Sequence, residues 1–351
     1  MEALRRLVSR SPQLELFAEA PWVPRPPRLP EAAASSADML GLGARLPAAV
    51  RLGTSSWSFP GWTGLIYAHE ASQLQLARDG LPAYARHPLL RTVGIDRTFY
   101  GPVPAETFRG WAEAVPAEFR FLAKAHEEVT LGHFPHRPRY GVKKGERNPR
   151  FLDAGYAVDA VVAPFVEGLG AKAGPLVFQF PPQDVAPLGG AQRFVERLHA
   201  FLAALPKGPL YGVEVRNREL LSKDYADALS AAHVVPVLAA WGPLPGVLAQ
   251  AEWTGALKGP ALVVRWMLHP GLGYEEAREL YAPFDRLVQE DVPTRTAIAV
   301  LAVEAFQSGR PVYVTINNKA EGSAPVSAER LAQAVVQRLR TSGPPLQGEG
   351  G

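Results

Sequence analysis

The stretch LYGVEVR, residues 210–216, decides the fold. Side chains along a strand alternate between two faces, so Tyr211, Val213 and Val215 share one face while Gly212, Glu214 and Arg216 share the other. The first face is apolar and suited to packing on helices. The second ends in an acid and a base, which a strand covered on both sides tolerates only where the charges meet partners. The stretch VYVTIN, residues 312–317, repeats the pattern, with Val312, Val314 and Ile316 toward helices and Tyr313, Thr315 and Asn317 on the opposite face. Strands that collect their polar ends about a common axis describe a closed sheet.

Working outward, short apolar runs predict strands at 50–56, 90–100, 119–125, 175–180, 210–215, 234–240, 261–267 and 311–317. Apolar spacings of three and four predict helices at 72–86, 105–114, 151–170, 191–204, 222–232, 275–308 and 325–340, with an irregular connection over 241–260. Strands alternating with helices in this number predict an α/β fold, a TIM-like (β/α)8 barrel. A doubly wound open sheet is the competing arrangement. The first strand is followed by no G-x-G-x-x-G, and no Walker lysine loop, H-E-x-x-H or G-x-S-x-G occurs.

The chain has 351 residues, 47% hydrophobic and 20% charged, which suits a soluble protein with a sizeable core. Pro- and Ala-rich sequence predicts a mostly disordered leader over 1–48, a single barrel domain over 49–340 and a flexible tail over 341–351. The N-terminal residues carry three arginines without a continuous apolar core, so no signal peptide is expected, and no run reaches the ~18 apolar residues of a membrane span. Cytoplasmic location is the expectation. The absence of cysteine excludes disulfides, thiolate metal sites and cysteine nucleophiles. Net charge is +3 with a pI near 9.1, so the placement of charge matters more than its sum.

In such a barrel, function gathers at the C-terminal ends of the strands and the loops behind them. Read in order, those ends carry Ser56 and Trp57, Asp96 and Tyr100, Lys124 and His126, Gln179, Glu214 and Arg216, Arg265, then Asn317 and Asn318. Carboxylates, cations and amides drawn from separate strands exceed what a core requires. The loop 133–150 adds Arg137, Arg139, Lys143, Lys144, Arg147 and Arg150 against the single Glu146, interleaved with Phe134 and Tyr140. That combination suits phosphates and stacked bases, although charge runs are commonly only solvated faces. In GTSSWSFPGW, residues 53–62, the rings of Trp57, Phe59 and Trp62 are expected to roof or wall the barrel mouth, or else to plug its rim.

Together these motifs resemble the YecE-like proteins, the family called domain of unknown function 72. GTSSWSFPGWTGLIY resembles its opening element, DRTFYG its Thr-Phe-Tyr element and FRFLAKAHEEVT its strand ending in lysine. GPLVFQFPP, YGVEVRN and YVTINN resemble its Gln-x-Pro-Pro, Glu-x-Arg and closing Asn-Asn elements. The resemblance spans about residues 50–340 and implies a TIM-like barrel of unsettled activity, with Ser56, Trp57, Tyr100, Lys124, Gln179, Glu214, Arg216, Asn317 and Asn318 at the matching positions. One departure stands out. The family commonly has an acid where this chain has Gly94, while Asp96 lies one pleat further along the same face, roughly 6–7 Å away.

Three functional classes follow. The first is an enzyme, a hydrolase or lyase acting on a phosphorylated or nucleotide-like substrate, with Glu214, Lys124, Asp96 and Tyr100 as catalytic candidates. Substrate would be held by Ser56, Trp57, Trp62, Gln179, Arg216, Arg265, Asn317 and Asn318. The second is a barrel that binds nucleic acid or nucleotides through 133–150 without turnover. The third is a sugar isomerase or glycosidase, which needs suitably placed carboxylates. No metal site is assigned, although Asp96 and Glu214 are weighed as holders of a single divalent ion; cofactors and oligomeric state stay open.

Overall fold

A computed structural model describes residues 29–341. Eight parallel strands form a closed barrel in sequence order: β1 (Val50–Thr54), β2 (Leu90–Ile95), β3 (Arg120–Lys124), β4 (Ala173–Phe180), β5 (Tyr211–Val215), β6 (Val235–Ala240), β7 (Leu262–Trp266) and β8 (Val312–Ile316). Closure comes from β1 pairing with β8 over Val50↔Val312 to Thr54↔Ile316. The architecture is therefore the TIM-like α/β barrel rather than an open sheet.

Strand parity sorts the interior into two levels. Leu122, Val177, Val235, Val237, Ala261, Val263 and Tyr313 form a separate buried cluster that fills the lower barrel. Two residues further along their strands come Lys124, Gln179, Ala239, Arg265 and Thr315, and Gln179 lies in register with Glu214. The opposite parity (Val213, Val215, Val312, Val314 and Ile316) belongs to the large core shared with the helices. Thus the polar level sits on an apolar floor, at the end where the strands point toward their following loops.

Several segments differ from expectation for identifiable reasons. β2 stops at Ile95, and Asp96–Phe99 is a 3-10 turn, because the Thr98 hydroxyl donates to the Ile95 carbonyl at 2.7 Å and draws the chain out of the sheet. The connection after β6 holds a helix, Val247–Thr254. Its buried face, Val247, Gln250, Ala251 and Thr254, has helical spacing, but the polar Gln250 masks it in the sequence. That amide exchanges hydrogen bonds of 3.0 and 2.9 Å with the backbone N–H and carbonyl of Ala239. The long helix expected over 275–308 is two, Tyr274–Tyr281 and Val292–Gln307. Pro283 disfavours helical geometry at the residue before it, and Asp291 caps the second helix by accepting from Thr294 N–H.

The segment between those helices docks on the loop behind β8. Val288 and Gln289 donate their N–H groups to the Glu321 carbonyl at 2.8 and 3.2 Å, and the Glu321 carboxylate binds Arg295 and the Asp291 N–H. The same segment abuts the GTSSWSFPGW loop. A Cβ at Gly61 would lie 1.8 Å from the Pro283 carbonyl oxygen, so only glycine permits this approach. Before the barrel, residues 37–45 form a helix capped by Ser36, with Leu42 and Leu46 in the core. Arg91 donates to the carbonyls of Gly43, Leu46 and Pro47 at its end. Residues 29–48 are therefore ordered, with Ala32 bridged to Tyr67 ahead of the helix, against the disorder expected there; the disorder expected over 1–28 and the flexibility expected beyond Thr341 lie outside the described residues. Among the described residues no helix is long and apolar enough to cross a membrane.

Candidate functional site

Five charged side chains form one chain across the barrel mouth. Lys124, the last residue of β3, places its Nζ 3.0 Å from an Asp96 oxygen just beyond β2. Arg265 on β7 reaches the same oxygen at 3.7 Å with one nitrogen and donates with the other to Glu214 at 2.5 Å and to the Gln179 side-chain oxygen at 3.0 Å. The second Glu214 oxygen accepts from Arg216 Nε at 2.8 Å, and the Arg216 guanidinium stacks 4.7 Å over Trp241. Three cations therefore meet two carboxylates. Glu214 is fully buried and Arg265 nearly so, whereas the Asp96 side chain is 36% exposed.

The electrostatics separates the two acids. Burial alone would push Glu214 up, but Arg265 and Arg216 outweigh it and hold its pKa down to about 2. With each oxygen engaged by a guanidinium, Glu214 stays ionised near neutrality, and its complete burial keeps it from a ligand at the mouth. Those two bonds fix the orientation of Arg265 and Arg216. Asp96 is also held low, since Lys124 and Arg265 overcome the effect of burial, but it remains open to the mouth. Lys124 is pushed below its ordinary value by burial, with Asp96 opposing. Tyr100 is pushed up by burial and by Asp96, so its phenol remains a proton donor. Arg265 lies between Asp96 and Glu214, so that pair does not present a divalent-ion site.

The other expected site residues divide. Gln179 joins the chain through Arg265. Asn317 donates to Ser55 Oγ at 2.8 Å and accepts from the Lys319 N–H at 3.0 Å, fixing the β8 loop against the end of β1. Asn318 accepts from the Trp62 indole at 3.2 Å and from the Ala324 N–H at 2.8 Å, a stitch between loops. Ser56 is half-buried, with its hydroxyl 3.2 Å from that of Ser58. The tryptophans sit differently from a wall around the mouth. Trp57 donates to the Leu76 carbonyl and meets Trp111 edge-on, while Trp62 is fully buried against Phe59 and Tyr84. Both rings belong to the large core, Trp57 against the helical Leu76 and Trp111, and Trp62 against the helical Tyr84.

Gly94 has a steric reason. A Cβ there would lie 3.1 Å from the Ser55 carbonyl oxygen and 3.2 Å from Ser55 Cα. A side chain at 94 would need Ser55, which holds Asn317, to give by a few tenths of an ångström. Asp96 supplies the carboxylate past this crowding.

Sequence reasoning missed Lys319 and Tyr274. Lys319 follows Asn317 by two residues, and its ammonium lies 4.2 Å over the Tyr274 ring. Burial pushes its pKa down while Asp96 opposes, which puts Lys319 within reach of the Asp96 charge. The basic loop is also less basic than its own composition suggests. Arg139 pairs with Glu127, while Arg150 and Lys143 approach Glu128 at 2.7 and 3.8 Å. Both acids belong to the turn behind β3, outside the segment whose charges were counted. Arg137, Lys144 and Arg147 are exposed and make no ion pair among the described residues. Arg139 also lies 5.1 Å over the Tyr100 ring, which joins this loop to the mouth.

The family profile described as "Protein of unknown function DUF72" matches residues 51–348. Among solved structures, a DUF72 family protein from Enterococcus faecalis V583 is similar at 17% identity, with 82% of this chain and 95% of that chain covered and a TM-score of 0.56. A DUF72 family protein from Thermotoga maritima MSB8 is similar at 18% identity, with 83% and 99% covered and a TM-score of 0.50. At such identities the likeness speaks to the fold alone. No curated protein matches the chain.

Proposed function

This chain belongs to the DUF72 family, and we propose that it is an enzyme, a hydrolase or lyase, acting on a small phosphate-bearing substrate at the barrel mouth. One observation carries the reading: cations exceed carboxylates there, and of the two acids only Asp96 is open. An anion arriving at such a mouth finds preorganised positive charge with low exposure, which strengthens its attraction and needs little reorganisation. Asp96, ionised, removes a proton from the substrate or from water. Lys124, whose ammonium is destabilised by burial, stabilises the developing negative charge or returns a proton to the leaving oxygen. Glu214 keeps Arg265 and Arg216 aimed and takes no proton. A cytoplasmic setting belongs to the same reading.

The test is a panel of sugar phosphates, nucleotides and phosphodiesters, followed by phosphate release and product analysis, with Asp96→Asn as control. Turnover lost in that variant supports the reading. It fails if no phosphorylated compound is bound or turned over in preference to its dephosphorylated counterpart. A glycosidase needs two working carboxylates, and the engagement of Glu214 argues against that alternative. The nucleic-acid reading is favoured only by the unpaired Arg137, Lys144 and Arg147.

A further inference from the structure

Two exposed tyrosines stand near the open carboxylate. Tyr100 closes the turn that begins at Asp96 and is 65% exposed, while Tyr274 opens the helix behind β7 and is 57% exposed. Each carries a cation over its ring, Arg139 at 5.1 Å over Tyr100 and Lys319 at 4.2 Å over Tyr274. Phe99 supports Tyr100 edge-on, with centroids 5.5 Å apart, and itself lies 4.4 Å below the Lys124 ammonium. Both tyrosines feel the Asp96 charge, and Tyr100 feels Tyr274. The mouth thus sets exposed aromatic faces beside a buried cationic cluster.

We propose that Tyr100 and Tyr274 are the base-binding residues of a nucleotide site, stacking the flat ring of a nucleoside phosphate whose phosphate meets Lys124 and its neighbouring cations. This rests on the phosphate-bearing substrate proposed above and narrows it. A sugar could also stack on tyrosine, but its hydroxyls donate as well as accept, and a sugar site needs free acceptors beside its donors. The mouth has few, because Glu214, the Gln179 oxygen, and the oxygens of Asn317 and Asn318 are already engaged within the protein. Stacking needs no such acceptors, since every base offers a π-face, and guanidinium groups stack on bases as they do on tyrosine.

The experiment is isothermal titration of the full chain with adenosine 5′-monophosphate, ribose 5-phosphate and adenosine at low salt. The nucleotide is expected to bind about ten-fold or more tighter than ribose 5-phosphate, the gain that stacking one base supplies. Tyr274→Ala should lower nucleotide affinity while leaving that for ribose 5-phosphate unchanged, and Tyr274→Phe should keep the nucleotide affinity of the wild type; Tyr100→Ala should lower nucleotide affinity as well. Lys124→Met should weaken both phosphates and leave adenosine unaffected. Equal affinity for the nucleotide and ribose 5-phosphate overturns the stacking site and leaves the phosphate site standing. Failure of both phosphates to bind overturns the phosphate site and, with it, this proposal.

Discussion

Replacing Glu214 by glutamine removes the central negative charge of the Lys124–Asp96–Arg265–Glu214–Arg216 chain while nearly preserving shape. Glu214 is fully buried and accepts two charge-assisted hydrogen bonds, at 2.5 Å from Arg265 and 2.8 Å from Arg216. Glutamine keeps one acceptor and turns an NH2 group toward the other guanidinium. Arg265 is then left with Asp96 as its nearest anion, at 3.7 Å. Breaking a buried ion pair from one side costs about 3–5 kcal/mol. The depressed pKa gives a consistent figure: a fall from 4.5 to about 2 corresponds to about 3 kcal/mol at 1.36 kcal/mol per decade. The sign is that of a depressed carboxylate. Its stabilisation is present above about pH 4.5 and is lost as pH falls through about 2. Urea unfolding at pH 7 should therefore show the Glu214→Gln variant about 3 kcal/mol less stable, with the gap closing as pH falls from about 4.5 toward 2. Equal stability at pH 7, or a gap independent of pH across that window, would refute the reasoning.

Trp62→Ala should cost about 3–5 kcal/mol of stability, read as a lowered unfolding midpoint, because the ring is fully buried; loss of ligand affinity at unchanged stability would place the ring in the site instead. Asp96→Asn should abolish turnover, and it should also move Lys124 further below its ordinary value by removing the anion that opposes its desolvation. The basic limb of any residual pH–rate profile, or the titration of the Lys124 Nζ by NMR, should accordingly shift to lower pH. If the basic loop holds single-stranded nucleic acid, replacing Arg137, Lys144 and Arg147 by alanine should flatten the log–log salt dependence of binding by about two, at about 0.7 for each lost phosphate contact. An unchanged slope removes the loop from recognition.

The barrel was legible because parity is a local property. In LYGVEVR and VYVTIN the alternation of apolar and polar residues follows from the strand period alone, whatever else the chain does. Repeated along the chain, it yields both the closed sheet and the inward set Lys124, Gln179, Glu214, Arg265 and Asn317. What each member does was a different matter. Glu214 and Asp96 are both acids at strand ends, and only the tertiary structure buries one between two guanidiniums and leaves the other, paired with Lys124, open to the mouth. Gln250 hid a helix because its polarity is satisfied by a strand distant from its own turn. Trp57 and Trp62 looked like walls of the mouth, and their contacts with Leu76, Trp111 and Tyr84 hold them in the core. Glu127 and Glu128 pair with three cations of a loop whose own composition omits them. Periodicity reports which face a side chain occupies. Partners, and hence protonation and exposure, depend on distances between segments far apart in the chain, and those arise only once the barrel closes.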